Sequence, residues 1–397
     1  MIHTSVLTIQ PHTETDPIDG SASLRSTIQR SNELEALIAA DASQFTVLTG
    51  DRPTGPLHLG HYFGTLQNRV RLQQAGARLF VLIADYQVLT DREVADRLGD
   101  HVTGMIADYL AIGIDPAKST IFAHSAVPAL NQLLLPFLSL VSVTELQRNP
   151  TVKEEIRLSR QPRVTPSADA SSQTRQPSRA GVSGLMLTYP VHQAADILFC
   201  KANLVPVGQD QLPHLEITRN VARRFNERYD HGKSFFPIPE ALLSAAPNLL
   251  GTDGQKMAKS RANSIPLSAT ADETARRLRR AKTDSLRYVS YEPASRPEVS
   301  SLVLLAALCQ GREPQQVAAD VGAGGSAELK AVVIESVNEF LRPIRARRAE
   351  FAADRDYLAQ VLAAGNATAT EIADRTLAEV RTAMGTSYSS LASTLRG

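Results

Sequence analysis

The sequence predicts an α/β fold, a doubly wound parallel sheet, followed by an all-helical C-terminal domain. Three observations carry this. Short runs that are apolar throughout, such as LFVLIA at 79–84, read as strands buried on both faces. They alternate with segments of helical periodicity, the pattern of a parallel sheet wound by helices. After about residue 265 the strand signals stop and only helical patterns remain.

The elements follow in order. Residues 1–44 read as an N-terminal extension, polar and Pro-containing at its start. An Asn32–Glu35 pair then opens a short helical pattern through Leu34, Leu37 and Ile38. FTVLT at 45–49 is the first strand. Gly50, Pro53, Gly55 and Pro56 form a turn, and a periodic segment from His61 through Leu66, Val70 and Leu72 is a helix. Residues 79–84 are the second strand, 91–112 a helix and 119–123 the third strand. Residues 159–183, rich in Ser, Arg and Pro without periodicity, read as a flexible surface insertion. Order resumes at Gly184, with a strand at 204–207 and a helix over 209–226. Helical patterns then cover 268–282, 300–310, 328–350, 354–364 and 370–384.

Composition narrows the function classes. A chain of 397 residues exceeds one ordinary domain. Hydrophobic content of 43% with 21% charged residues is globular. Forty-two Lys and Arg against 41 Asp and Glu leave a net charge of +1. Any contact with nucleic acid must therefore come from local patches. Cys200 and Cys309 are too few for a disulfide framework or a cysteine zinc site, and no metal cage is expected. No basic start precedes a continuous apolar run, and the stretch from Leu133 to Val141 is short and interrupted by Pro136. The expectation is a cytoplasmic protein with no membrane partner.

Two motifs carry chemistry. Gly55-Pro-Leu-His58-Leu-Gly60-His61 directly follows the first strand. Its glycines have P-loop spacing, but His61-Tyr62 stands where Lys-Ser/Thr would be, which disfavours a P-loop ATPase. The turn still suits a polyanion, because Gly60 admits a close approach, the helix start offers N–H groups, and both histidines can donate to phosphate. The plainer reading is a strand-to-helix turn with incidental surface histidines. The second motif is Lys256-Met-Ala-Lys259-Ser260, preceded by Gly251 and Gly254. Two lysines on a mobile loop can stabilise charge that develops as pyrophosphate leaves. The plainer reading is a solvated basic loop.

Together the motifs are far more specific. The sequence resembles the class I aminoacyl-tRNA synthetases and, in detail, the tryptophanyl-tRNA synthetases. The resemblance rests on Thr49–Gly55 (TGDRPTG), Tyr189–Ile197 (YPVHQAADI), Leu204–Gln211 (LVPVGQDQ), His214–Arg219 (HLEITR), the KMAKS segment and Leu341–Ile344. VLTGDRPTG, LQNRVRLQ and YPVHQAADI resemble the auxiliary second branch of that family found in some bacteria.

The resemblance implies a Rossmann-like catalytic domain over 45–265 and a helical anticodon-binding domain over 266–397. It also implies activation of L-tryptophan with ATP and transfer to the 3′ end of tRNA(Trp) by a homodimer, with magnesium bound mainly through the ATP phosphates. His58, His61, Lys256, Lys259 and Ser260 become catalytic. Asp51, Arg52, Gly60, Gly208 and Asp210 join the ATP site. Leu48, Gln87, Tyr189, Gln193, Asp196, Val205, Val207 and Gln211 form the amino-acid site. The spacing of Tyr189, Gln193 and Asp196 places them on one helix face. A carboxylate among Ala194, Ala195 and Ile197 needs a partner, and an indole N–H is a suitable one. A phenol would serve as well, so discrimination against tyrosine falls to pocket size, with Leu48, Val205 and Val207 as the wall.

Three departures stand out. Ala258 replaces the usual serine of KMSKS, Arg52 adds a cation near ATP, and Asp85-Tyr-Gln87 replaces an Asp-x-His at the pocket edge. The last implies a copy tolerant of indole-type inhibitors. Two basic runs, Arg276, Arg277, Arg279, Arg280 and Lys282, and Arg342, Arg345, Arg347 and Arg348, are expected to contact tRNA phosphates. The alternatives are a tyrosine–tRNA ligase, an inactive tRNA-binding paralogue, or an adenylyltransferase without tRNA function.

Overall fold

The computed structural model describes residues 22–90, 97–159, 183–208, 211–243, 249–258 and 261–388. Five strands form one parallel sheet in the order β3-β2-β1-β4-β5. They are β1 (Thr46–Asp51), β2 (Arg78–Ile83), β3 (Ser119–Ala123), β4 (Leu204–Val207) and β5 (Glu240–Leu243). β5 has no counterpart in the sequence reading. It is a four-residue edge strand that opens on a charged residue, too short to show a period.

The helices of the first part are α1 (Ala22–Ala40), α2 (Leu59–His61), α3 (Gln67–Ala75), α4 (Leu98–Ile112), α5 (Pro128–Leu138), α6 (Val143–Arg148), α7 (Pro150–Ser159), α8 (Gly184–Leu198) and α9 (Leu212–Tyr229). A five-residue π-helical turn, Tyr62–Leu66, joins α2 to α3. Residues 1–21 and 160–182, read as extension and insertion, lie outside the described residues.

The end of the extension is a full helix rather than a short pattern opened at Asn32. α1 buries Leu34 and Ile38, while Leu37 faces outward. It also covers the edge strand. Ser31 Oγ donates to the Ala241 carbonyl at 3.2 Å and accepts from Leu243 N–H at 2.9 Å. An edge strand's free backbone groups are thereby satisfied.

Alternation along the strands splits the core into two layers. Leu79, Val81 and Ile83 face one layer, and Phe80 and Leu82 face the other. The first layer takes in Tyr109 of α4 and runs on into the C-terminal helices. The second is filled by α5, α8 and α9.

The C-terminal part is helical throughout its described length: α10 (Ala271–Arg279), α11 (Pro297–Gln310), α12 (Pro314–Val321), α13 (Gly325–Ala353) and α14 (Arg355–Ala383). α14 is one helix across the break expected at 365–369. Gly365 explains why a small residue sits there. A Cβ at that position would lie 1.8 Å from the Ile121 carbonyl oxygen, so α14 rests directly on the backbone of β3. Next to it, Asn366 Oδ1 accepts from Ala123 N–H at 2.9 Å. The helical part therefore packs into the sheet's own core, and Ala369, Ala373, Leu377 and Val380 complete the second layer.

Candidate active site

In a parallel sheet, ligands bind beyond the carboxyl ends of the strands where the winding reverses. Here the reversal falls between β1 and β4, which pair with each other and have opposite further neighbours. The HxGH turn follows β1, and Gly208 follows β4.

The HxGH turn is closely built. Gly55 takes φ of +142°, which bends the chain back toward the sheet. His58 precedes α2 and is buried, and its backbone N–H donates to His61 Nδ1 at 3.2 Å. The two rings lie 3.7 Å apart between centroids. The π-helical turn begins at the next residue, a feature frequent at functional sites.

Backbone pairing locks this turn to the lysine loop. Leu59 N–H donates to the Ile265 carbonyl at 3.0 Å, and Leu267 N–H donates to the Leu57 carbonyl at 2.9 Å. Met257, between the two lysine positions, reaches the turn itself: a Cβ on Gly60 would lie 3.3 Å from its sulfur. The two motifs, some two hundred residues apart, thus lie side by side. Lys256 is exposed. Lys259, Ser260 and Asp210 lie outside the described residues.

Asn263 organises the lysine loop, and sequence reading did not single out its role. It is buried, and its Oδ1 accepts from Ala258 N–H at 2.9 Å. Its Nδ2 donates to Asp253 Oδ1 at 2.8 Å and to the Lys256 carbonyl at 3.2 Å. Arg277 Nη1 grips the carbonyls of Ala262 and Ser264 at 3.3 and 3.2 Å.

Asp51 was expected near ATP. Its Oδ2 accepts from the buried Arg69 Nη1 at 2.5 Å and from Tyr109 OH at 2.7 Å. Burial pushes the Asp51 carboxyl pKa up, but the Arg69 charge and the hydrogen bonds from Arg69 and Tyr109 outweigh it. The net position is well below the ordinary carboxylate range. This carboxylate oxygen braces the root of the HxGH turn. Arg52, next in the chain, is exposed.

Three of the residues expected to hold the amino acid lie on α8. Tyr189 and Gln193 are half-buried and Asp196 is buried, on the expected shared face. Leu48, Val205 and Val207 are buried in the same core layer as Ala195 and Ile197. Tyr189 OH lies 2.9 Å from Nε2 of the buried His214, and Gln211 stands at the start of α9. Gln87 Nε2 donates to Asp196 Oδ2 at 3.2 Å and to His192 Nδ1 at 3.2 Å.

The second Asp196 oxygen meets a residue the sequence reading missed. His124 Nδ1 lies 2.6 Å from Asp196 Oδ1, with the two side chains 0% and 2% exposed. Burial lowers the His124 pKa, but the Asp196 charge and hydrogen bond, with help from Asn131, raise it above the ordinary value. For His192 the balance goes the other way. Burial and the neighbouring His124 charge lower its pKa despite Asp196. One signal could have found His124: it follows β3 directly, at the strand end where such sheets present ligands.

Among the described residues, His124, His192 and Asp196 are the one group with metal-site spacing, their donor atoms lying within 4.8 Å of one another. The 2.6 Å contact is the length of a charge-assisted hydrogen bond and leaves no space for an ion between the two atoms.

The basic runs divide. Arg276, Arg279 and Arg280 are exposed, whereas Lys282 pairs with Glu298 at 2.8 Å. In the second run only Arg342 is exposed. Arg345 bonds Thr274 at 2.9 Å, Arg347 bonds the Ala111 carbonyl at 2.7 Å, and Arg348 bonds the buried Asp108 at 2.5 Å. These three hold α13 against α4 and α10, which corrects the expectation that they form a phosphate patch. Asp108 in turn accepts from Leu57 N–H at 3.3 Å, one residue before His58.

Known proteins can be set beside this geometry. The family model for class I tRNA synthetases (W and Y) matches residues 40–342. The tryptophan–tRNA ligase of Clostridium longisporum is 39% identical over 352 residues, covering 86% of this chain and 97% of its own. The tryptophanyl-tRNA synthetase of Campylobacter jejuni, solved with ADP and tryptophan, superposes with a TM-score of 0.70 at 26% identity, over 86% of this chain and 99% of that one. The tyrosyl-tRNA synthetase of Archaeoglobus fulgidus, at 22% identity and a TM-score of 0.56 over 80% of this chain and 93% of its own, shares the fold. The chain belongs to the class I tRNA synthetases of the tryptophan and tyrosine group.

Proposed function

We propose that the protein is a tryptophan–tRNA ligase. It activates L-tryptophan with ATP to tryptophanyl-adenylate and pyrophosphate, then passes the aminoacyl group to the 3′ end of tRNA(Trp). The observation that carries this reading is the joining of the HxGH turn to the lysine loop by main-chain pairing, together with a buried carboxylate on α8. The relatives named as tryptophan–tRNA ligases support tryptophan over tyrosine, since the tyrosyl enzyme is like this chain in fold alone.

The chemistry is positioning and charge stabilisation, without a covalent enzyme intermediate. The tryptophan carboxylate attacks the α-phosphorus, and pyrophosphate leaves. His58, His61, Lys256 and Lys259 hold phosphate oxygens, and the lysine loop meets the charge that grows on the leaving group. Gly60 and Gly208 admit the nucleotide. Asp210 lies near the ribose, and Tyr189 and Gln211 hold the amino and carboxylate groups of the amino acid. Magnesium rides on the ATP phosphates.

The exposed Arg276, Arg279 and Arg280 of the helical part are the tRNA contacts we favour. The family resemblance points to a homodimer, and Leu135 of α5 and Val143 of α6 are exposed apolar side chains. No described helix is long and apolar enough to cross a membrane, consistent with a cytoplasmic site of action. Gln87, which stands in place of the histidine of the common branch, bonds Asp196, and tolerance of indole-type inhibitors is proposed on that replacement.

ATP–pyrophosphate exchange with tryptophan and with tyrosine, followed by tRNA charging, tests the proposal. Exchange that needs tryptophan is expected. Exchange with tyrosine alone, or tRNA binding without exchange, would overturn it.

A further inference from the structure

The tryptophan reading makes Asp196 the acceptor for the indole N–H. It does not say what holds that carboxylate in place. A lone carboxylate on an apolar helix face can rotate, lose its charge or turn away from the ligand.

Four side chains close a ring with it. His124 Nδ1 faces Asp196 Oδ1 at 2.6 Å. His124 Nε2 and His192 Nε2 both face Asn131 Oδ1, each at 3.4 Å. Gln87 Nε2 bridges His192 Nδ1 and Asp196 Oδ2, each at 3.2 Å. With Asp196 ionised and the two amides oriented as in the structure, the contacts assign the protons as follows. Asn131 Oδ1 can only accept, so both histidines donate from Nε2. Gln87 Nε2 can only donate, so His192 accepts at Nδ1 and is neutral. Asp196 Oδ1 lies 2.6 Å from His124 Nδ1 as an ion pair, so His124 carries a proton there as well and is an imidazolium. The opposite pKa shifts of the two rings, His124 up and His192 down, agree with this assignment.

The neighbours keep that arrangement rigid. The His124 and His192 rings lie 4.0 Å apart between centroids, and Tyr86 lies 5.5 Å from His124 on another side. Asp85, the other nearby carboxylate, is tied to Tyr86 N–H and Ser125 N–H at 3.0 Å each and to the Ser125 hydroxyl. It therefore does not compete for the His124 proton.

We infer that His124 is a positioning residue for recognition of the ring N–H. It fixes one Asp196 oxygen so that the other, Oδ2, is presented at a defined angle. Gln87 shares Oδ2, which retains a further lone pair for the ligand. This deepens the tryptophan reading and rests on it. His124 touches no substrate atom in this scheme; it acts through Asp196.

The test compares tryptophan with β-(3-benzothienyl)alanine, in which sulfur replaces the ring N–H at nearly the same shape. The chain contains no tryptophan, so emission from bound tryptophan is read directly, and the analogue is measured by displacement. The native chain is expected to prefer tryptophan. In His124→Phe, which keeps the ring packing, tryptophan affinity should fall about ten- to a hundredfold, the worth of a hydrogen bond to a charged group. Affinity for the analogue should change by less than about threefold on the same reasoning. The preference thus collapses. His124→Gln retains an amide donor and should restore much of it.

Equal weakening of both ligands would mean a merely structural role and would overturn the inference. An unchanged preference would overturn it too. Should His124→Phe fail to fold, Asn131→Leu removes the acceptor at the other ring nitrogen and should lower the same preference; no change there counts against the inference. A native chain that binds no tryptophan would instead defeat the functional proposal, which separates the two failures.

Discussion

Asn263→Ala is the sharpest test of how the lysine loop works. Asn263 is 3% exposed and closes the loop from inside. Truncation removes its bonds to Ala258 N–H and to the Lys256 carbonyl, at 2.9 and 3.2 Å, as well as the bond to Asp253. The two backbone bonds together are worth about 1–3 kcal/mol. The exposed Asp253 partner adds nothing counted here, because water replaces it. If the ordered loop is what delivers Lys256 to the leaving phosphates, the penalty falls on the transition state. Exchange kcat should then drop by a factor of roughly 5 to 150. The tryptophan Kd, read by ligand fluorescence, should stay within about twofold, since the amino-acid side does not touch this loop. Asn263→Asp is a useful companion. It keeps the acceptor for Ala258 but sets a carboxylate against Asp253 and the Lys256 carbonyl, so it should be at least as slow as the alanine variant. Exchange within twofold of native in a folded Asn263→Ala protein would refute the reasoning.

Other predictions follow from the same contacts. Gly365→Ala sits inside a helix, where alanine ordinarily stabilises by about 1 kcal/mol. Here the new Cβ meets the Ile121 carbonyl oxygen at 1.8 Å, so a lower Tm is expected, by the 1–3 kcal/mol typical of overpacking, and a raised Tm would contradict the packing of α14 on β3. Charge reversal of Arg276, Arg279 and Arg280 together should raise the KM for tRNA and reduce the salt dependence of charging, with tryptophan-dependent exchange unchanged. Arg69→Met leaves Asp51 buried beside Tyr109 without its cation and should cost about 3–5 kcal/mol of stability. The sign with pH follows from the depressed folded pKa of Asp51. Its contribution is full above the unfolded value near 3.9 and is lost as pH falls through the folded value below it, so acid unfolding of the native chain should steepen there and that component should shrink in Arg69→Met, where His61 and Tyr109 remain.

Legibility in the sequence depended on where the partners lay. The strands read at 45–49, 79–84, 119–123 and 204–207 fall within two residues of the observed β1–β4, because the middles of buried parallel strands are apolar and β-branched. The HxGH and KMAKS motifs could be read because their chemistry is carried by a few adjacent residues. The face shared by Tyr189, Gln193 and Asp196 needed only helical spacing. β5 and α12 escaped because each is too short to show a period, and α14 was split because its Gly365 looks like a stop signal until the strand beneath it is seen.

What the sequence determined by itself was therefore local: which segments are strand or helix, and which short runs carry the family's two motifs. Tertiary structure decided which charges are spent. Arg345, Arg347 and Arg348 read like a basic patch beside Arg342, yet their partners are Thr274, Ala111 and Asp108, far away along the chain. His124 reads as an ordinary histidine after a strand, and becomes the partner of Asp196 only when β3 and α8 converge. A cation's fate depends on which acceptor lies within about 3 Å, and that distance is set by packing, not by order along the chain.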